Sequence, residues 1–400
     1  MKAPGTDRVF SGRLGSGLDA HLSDGAEYAS LVAMLRLLRI LAFLAWAPWC
    51  AAQPADCSEL LESIRAERRI PAIAAAVVDD GRLVALGASG TRRAGSDFLV
   101  SPEDVWEVAS CTKSMTASVA AMLVEEGLLS WDSTVGEVLG AVVPDMDLDW
   151  RKATLEQLLL HLGGAPQEPP AGLWKTARER SGPPRRQRLE FVRGLIRRDP
   201  AFYPGSHWAY SDCGYAIVGT MMEQASGRSW EDLLQERLFV PLGMASAGFG
   251  VAGGTDGVDQ PLGHLGYNPP YMPTPAVPGS TLPPAVAPAA AVYCSMADLA
   301  RYAAWHLDGA NGRAWLLSAE SFEKLHTPPP GEEYALGWAV TKRSWAGGTA
   351  LMHNGDNDRF YSEMWLGLSA DTAFLVAANS TSRSAKSACQ KVIRALINAY

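Results

Sequence analysis

A serine precedes a lysine by three residues at the head of a helical pattern in Val108-Ala-Ser-Cys-Thr-Lys-Ser-Met-Thr-Ala117. Positions i and i+3 share a helix face, so the Lys113 amine can reach the Ser110 hydroxyl. A serine hydroxyl attacks poorly until a neighbouring group takes its proton, and this pairing would supply such a group. A helix start also places positive potential around Ser110, which would stabilise an anionic transition state and discourage a charged lysine. Spacing alone is not specific, because Ser321-Phe-Glu-Lys324 repeats it ahead of a His-Thr-Pro loop.

Two distant stretches add partners. Tyr210-Ser-Asp-Cys-Gly-Tyr215 follows Tyr203-Pro-Gly-Ser-His-Trp208 and precedes a helical pattern, and Met352-His-Asn-Gly-Asp356 ends one expected strand just before another. Taken singly, Tyr210 reads as a half-buried packing residue and His353 as a satisfied strand histidine. Their order along the chain with Ser110 favours chemistry. His161 and His207 sit in phrases that suit turn and loop packing, and the Arg-rich segment 178–198 reads as a solvated face.

The elements that must position these residues follow from periodicity. Met115, Val119, Met122 and Leu123 recur at helical spacing between Ser110 and Leu128, with Gly127 near the end. Upstream, an amphipathic helix over 58–68 leads into a hairpin of 70–78 and 82–87 turned at Asp-Asp-Gly. Helical patterns cover 154–162, 189–197, 215–225, 230–238 and 296–307, interrupted by loops at 163–184 and 261–288. The tail carries strand patterns at 335–342, 350–353, 362–368 and 372–378, then a closing amphipathic helix over 385–400. No helix separates those strands, so the sheet should be antiparallel. The expected fold is α/β: an antiparallel sheet built from both chain ends, terminal helices packed on it, and a mainly helical region inserted.

Composition narrows the partners. At 400 residues and 48% hydrophobic, the chain can bury a large core. A net charge of −8 without a long basic run argues against nucleic acid and for a small-molecule or peptide substrate. Residues 1–33 lack periodicity and read as a non-native or unstructured extension, with Met34 as the true initiator. Residues 34–52 have a signal peptide's outline: basic Met34–Arg39, apolar Ile40–Trp46, and a cut after Cys50-Ala-Ala52. The apolar run is shorter than the roughly 20 residues of a membrane span. Export to the periplasm or medium is expected, with an uncleaved membrane anchor as the alternative. Export permits disulfides, and Cys57 with Cys389 could bridge if the terminal helices pack together. Cys111, Cys213 and Cys294 read as small buried residues or a second bridge. The scattered histidines offer no H-E-x-x-H and no paired C-x-x-C, so no metal is expected.

Taken together, Ser110-Cys-Thr-Lys113, Tyr210-Ser-Asp212 and His353-Asn-Gly355 resemble the three motifs of the class C β-lactamase-related serine hydrolases. That group includes penicillin-binding D-alanyl-D-alanine carboxypeptidases, D-aminopeptidases and esterases. Leu158-Leu-Leu-His-Leu-Gly-Gly164, Pro241-Leu-Gly-Met244, Ser295-Met-Ala-Asp-Leu-Ala-Arg301 and Tyr334-Ala-Leu-Gly-Trp338 are similar to lesser phrases of the family. The resemblance implies a β-lactamase/transpeptidase-like domain over 53–400, its helical part about 110–290 and its sheet part about 58–100 and 335–400. It implies Ser110 as the acylated nucleophile, Lys113 as the group that keeps its proton mobile, and Tyr210 as general base and later acid. The backbone N–H groups of Ser110 and Asp356 would form the oxyanion hole, Gly355 would let substrate lie against the strand, and His353 would hydrogen-bond near Tyr210 or the substrate. No metal or organic cofactor is implied.

Departures from the family pattern bear on the substrate. Asp212 stands where the family has Asn, and an ionised carboxylate accepts but cannot donate. His353 stands where β-lactamases have Lys. Asp356 and Asp358 add negative charge, with Arg359 as compensation. The alanines of Ala287-Pro-Ala-Ala-Ala-Val292 replace a Gly-Gly of many relatives and would stiffen or fill the cleft. A site that loses a cation and gains carboxylates should favour an ester, a D-amino-acid amide or a peptide over an anionic β-lactam. A Ser-His-Asp hydrolase is disfavoured because the chain has no G-x-S-x-G elbow. The remaining alternative is a non-catalytic, penicillin-binding-like sensing or binding module, which Asp212 would allow.

Overall fold

The stretches 72–78 and 373–378 are continuous apolar runs, the pattern of strands covered on both faces. In the computed structural model, which describes residues 53–179, 181–253, 258–266, 269–275 and 282–400, they lie side by side near the middle of a seven-stranded sheet. The expected extension at 1–33 and signal peptide at 34–52 fall outside the described residues. The sheet contains β1 (Ala55–Asp56), β2 (Ala72–Asp79) and β3 (Arg82–Gly90) from one chain end. From the other end it takes β9 (Ala339–Arg343), β10 (Gly348–Asp356), β11 (Tyr361–Gly367) and β12 (Thr372–Ala378). The order is β1-β3-β2-β12-β11-β10-β9. All neighbours are antiparallel except the short β1, which runs parallel to β3.

Five helices govern the site: α1 (Ser58–Arg68), α2 (Thr112–Glu125), α3 (Asp212–Ser226), α4 (Met296–Ala310) and α5 (Arg383–Ala399). The terminal helices α1 and α5 cover one sheet face, where Leu61, Ile64, Val392 and Leu396 join a core with Ile73, Ala75, Val77 and Val376. The small side chains on the strands let the helices sit close. Truncating Leu61 to Ala would remove on the order of 2–5 kcal/mol. Helix α4 packs on the other face of β2 and β12. Cys57 and Cys389 share the core under α1 and α5, yet both thiols are free, as are Cys111, Cys213 and Cys294. The expected Cys57–Cys389 bridge is therefore absent: each fills core space as a small apolar group, and burial pushes the Cys57 thiol up to about 11.

Several elements differ from the periodicity reading. Ala171–Glu179 is helical inside the expected loop, and Pro184–Ile196 begins ahead of its predicted start because proline is tolerated in a helix's first turn. A short three-stranded sheet of β4 (Val105–Glu107), β5 (Gly248–Phe249) and β8 (Val292–Ser295) was not visible in the alternation. A two-stranded ribbon, β6 (His264–Leu265) with β7 (Met272–Pro273), crosses the proline-rich loop. No helix among the described residues is long and apolar enough to cross a membrane.

Candidate active site

Ser110 occupies a single 3-10 turn, Ala109–Cys111, between β4 and α2. Ala109 has φ +44°, a left-handed conformation that costs an L-residue about 1 kcal/mol or more. Contacts from three directions hold it. Val108 N–H donates to the Val292 carbonyl at 3.0 Å, while the Val108 carbonyl accepts from Cys111 N–H at 3.1 Å and from Ser362 Oγ at 2.9 Å. Gly355 on β10 closes the third side: a Cβ there would lie 2.1 Å from the Val108 carbonyl oxygen and 3.0 Å from Ala109 Cβ. Gly355 was expected to make room for substrate. The structure shows that its missing Cβ makes room for the turn that carries Ser110.

Residues 112–123 of α2 are buried, so Lys113 enters the interior with its side chain fully enclosed. A buried ammonium needs partners. Lys113 Nζ donates to Asp212 Oδ1 at 2.6 Å, to Ser110 Oγ at 3.1 Å and to the Ala289 carbonyl at 3.2 Å. Its Nζ lies 4.6 Å from the Tyr210 ring centre. Burial pulls the lysine down, but the Asp212 carboxylate and then Tyr210 outweigh it and raise the group above the usual lysine value. The expectation of a discouraged charge is thus reversed by a counterion from a distant helix. The helical turn Ala287–Ala290, expected to stiffen or fill the cleft, supplies one of the three acceptors.

The second motif is built by capping. Ser211 is the N-cap of α3, its Oγ accepting from Gly214 N–H at 3.1 Å, which fixes Tyr210 before the helix and Asp212 in its first turn. Asp212 thus lies at the positive end of α3 and against Lys113 Nζ. His161, read from sequence as turn packing, also serves this motif. Its Nδ1 accepts from Ser211 N–H at 3.1 Å, and its ring lies 4.4 Å from that of Tyr210. Burial and then the charge on Lys113 hold His161 well below the usual histidine range. His207, by contrast, packs at a tilt against Phe202, ring centres 4.5 Å apart.

On β10, pairing with β9 stops at Met352↔Ala339, so residues 353–356 run on beyond the edge strand. His353 Nδ1 donates to the Asn354 carbonyl at 2.8 Å, leaving Nε2 to accept from Tyr334 Oη at 3.0 Å. Burial, followed by the charge on Lys113, pushes His353 down to about 3. It is a neutral imidazole held by Tyr334, not bonded to Tyr210, whose ring centre is 6.5 Å away. Asp356 Oδ2 pairs with Lys386 Nζ at 2.5 Å. Arg359 does not serve as the expected compensation for Asp356 and Asp358. It is buried against Glu107 at 2.8 Å, and Glu107 also accepts from Asn357 Nδ2 at 2.6 Å, pinning the β10–β11 turn to β4.

Ser110, Tyr210, Asp212, His353 and Asp356 line one cavity of about 430 Å³, with Lys113 enclosed behind Ser110. Trp208, Tyr334, Ala339, Met352 and Asn354 complete its walls. Trp208 and Tyr334 were missed as site residues, although each lies in a phrase that drew notice. Gly337 of the Tyr334 phrase has φ +82°, and a Cβ there would meet Ser114 Cα at 2.6 Å, so the phrase is shaped to lie against α2. The second Ser-x-x-Lys is not assembled. Ser321 Oγ donates to Glu125 Oε1 at 2.6 Å and Lys324 Nζ pairs with Glu156 at 2.5 Å.

Similarity to known proteins follows the same frame. The family model described as "Beta-lactamase" matches residues 58–396. Penicillin-binding protein 4 of Amycolatopsis lactamdurans is 31% identical over 304 residues, covering 73% of this chain and 74% of that protein. The D-alanyl-D-alanine-carboxypeptidase/endopeptidase AmpH of Escherichia coli is 29% identical over 179 residues, 42% of this chain and 43% of its own length. The octameric penicillin-binding protein homologue from Pyrococcus abyssi superposes with a TM-score of 0.69 at 23% identity, over 85% of this chain and 77% of that one, a likeness of fold. With its antiparallel sheet and inserted helical region in the β-lactamase/transpeptidase-like arrangement, the chain belongs to the β-lactamase family of serine hydrolases.

Proposed function

We propose that the chain cleaves an ester or amide through an acyl-enzyme on Ser110. One observation carries this reading: a fully enclosed Lys113 contacts both Ser110 and Asp212. With Lys113 held as an ammonium that cannot take the serine proton, this reading gives the base's role to Tyr210 in its phenolate form, as the family resemblance implies, with Lys113 as the fixed cation beside it. Tyr210 removes the Ser110 proton as Oγ attacks the carbonyl, then returns it to the leaving alcohol or amine. Water repeats the cycle on the acyl-enzyme. The developing oxyanion lies against the N–H groups of Ser110 and Asp356, each such donor worth about 10²–10³ in rate.

The substrate follows from charge and walls. Asp212 is matched by Lys113, Asp356 by Lys386, and His353 is neutral, while Trp208, Tyr210 and Tyr334 present aromatic surface. That environment favours a neutral ester or a D-amino-acid amide or peptide over an anionic β-lactam. A panel of p-nitrophenyl esters, D-aminoacyl amides and β-lactams tests the assignment: the ester or amide members should be turned over fastest. No turnover across the panel would move the chain to a binding or sensing role.

We further propose that the protein is exported, on the pattern of residues 34–52. The amino-terminal sequence of the protein recovered from its native host should then begin just after Ala52. A chain retaining residues 34–52 in the membrane fraction would favour the anchor.

A further inference from the structure

Beyond the edge of the catalytic cavity, a second cavity of about 620 Å³ lies between β9–β11 and the end of α5. Met352 and Asn354 border both, because β10 runs past the end of β9 and leaves that edge open between them. The outer cavity has features the inner one lacks. Arg343 and Arg394 are exposed on its rim and form no ion pair among the described residues. The Arg343 guanidinium lies 5.4 Å from the Trp365 ring centre, and Trp345 packs edge-on to Trp365 with ring centres 6.4 Å apart. Glu363, the carboxylate in the wall, is 5% exposed and already occupied. Its oxygens accept from Tyr361 Oη at 2.6 Å and Trp365 Nε1 at 3.3 Å. On a chain of net charge −8, two exposed guanidiniums, neither in a close ion pair among the described residues and only Arg394 within electrostatic reach of buried Glu363, stand beside two indoles and form a local cationic, aromatic-walled groove.

We propose that this groove is a distal subsite, seating the carboxylate-bearing end of an extended substrate whose scissile carbonyl lies at Ser110. The substrate chain crosses the open edge of β10 past Met352 and Asn354, its body rests on Trp345 and Trp365, and its terminal anion meets Arg343 and Arg394. This assignment rests on Ser110 as the acylation site. It deepens the substrate reading, because recognition of an anion, lost from the inner cavity through its paired charges, is displaced outward.

Two measurements keep the groove separate from the nucleophile. In the first, p-nitrophenyl monoesters of linear dicarboxylic acids of increasing length are compared with their ω-methyl ester counterparts. The wild type should prefer the free ω-carboxylate at a particular length by roughly tenfold in kcat/KM, mainly through KM. The Arg343→Ala/Arg394→Ala variant should abolish that ratio, and Arg343→Lys/Arg394→Lys should restore part of it. A wild type without preference, or an unchanged ratio in the alanine variant, overturns the proposal. In the second, Ser110→Ala protein is titrated with dodecanedioate while tryptophan fluorescence is followed. Saturable binding that disappears when Arg343→Ala/Arg394→Ala is added supports the groove even if Ser110 proves not to be acylated. No binding to Ser110→Ala protein, or binding that survives loss of both arginines, sinks the groove and leaves the Ser110 reading untouched.

Discussion

Ser110-Lys113 and Ser321-Lys324 share a spacing and differ in everything around it. The first pair begins a helix buried on nearly all sides, and the Lys113 side chain has no exposure. It turns to Ser110, Asp212 and Ala289 because nothing else can satisfy it. The second pair lies on Ala319–His326, with the Lys324 side chain 38% exposed. There each residue finds its own carboxylate, Ser321 on Glu125 and Lys324 on Glu156, and the two are drawn apart. The cavity beside this second pair, about 830 Å³, is nearly twice the size of the one over Ser110. Neither spacing nor volume distinguishes the two pairs. Burial of the lysine, together with a counterion from another helix, does.

Substitutions at the two serines should separate the regions most strongly. Ser110→Ala should lower kcat for a p-nitrophenyl ester by at least about 10³-fold, whereas Ser321→Ala should stay within roughly twofold. A large loss at Ser321 would transfer the chemistry to the exposed pair. Next in size is Tyr210→Phe, which keeps the ring against His161 and removes the hydroxyl. It should cost about 10²–10⁴ in kcat with little change in KM, and turnover near the wild-type level would return the role of base to Lys113.

Asp212→Asn tests the lysine's charge more directly. With the counterion gone, burial pulls the Lys113 ammonium down, so the alkaline limb of the kcat profile should move to lower pH. Handling of anionic β-lactams should improve relative to neutral esters. Stability should fall by about 1–3 kcal/mol, less than for a wholly buried pair because Asp212 is 36% exposed. If neutral Lys113 were the base, the same variant would instead gain activity near neutral pH.

The smallest expected effect concerns acid. Burial holds His326 and His353 down to about 3, with His306 also well below the usual range. These imidazoles stay neutral in the fold while the unfolded chain takes up protons near pH 6.5. The unfolded state therefore binds more protons between about pH 6.5 and 3, and stability declines as pH falls through that window. Thermal melts from pH 7 to pH 4 should show this fall, and His326→Gln should flatten it. An unchanged slope in the variant would remove His326 from the account.

Much of the sheet was legible in the sequence because continuous apolar strands and an amphipathic closing helix leave strong local patterns. The helix Ala171–Glu179 was not, since prolines and arginines around it mask its period. β4 and β8 were missed because strands of three and four residues carry too few alternations to register. Ser110, Tyr210, Asp212, His353 and Asp356 were named from motif order, and the fold brings them to one cavity. What stayed hidden was pairing across distance. The charge on Lys113 depends on Asp212, 99 residues away, and Arg359 answers Glu107, 252 residues away, not its aspartate neighbours. The close approach of Gly355 to the Ser110 turn was equally hidden, because that turn lies on another element.

The most direct test is covalent. Wild-type, Ser110→Ala and Ser321→Ala proteins would be treated with a fluorophosphonate, weighed intact and mapped by peptide. A single adduct is expected on the peptide containing Ser110, present in wild type and in Ser321→Ala and absent in Ser110→Ala. An adduct on Ser321, or one that persists in Ser110→Ala, would contradict that expectation.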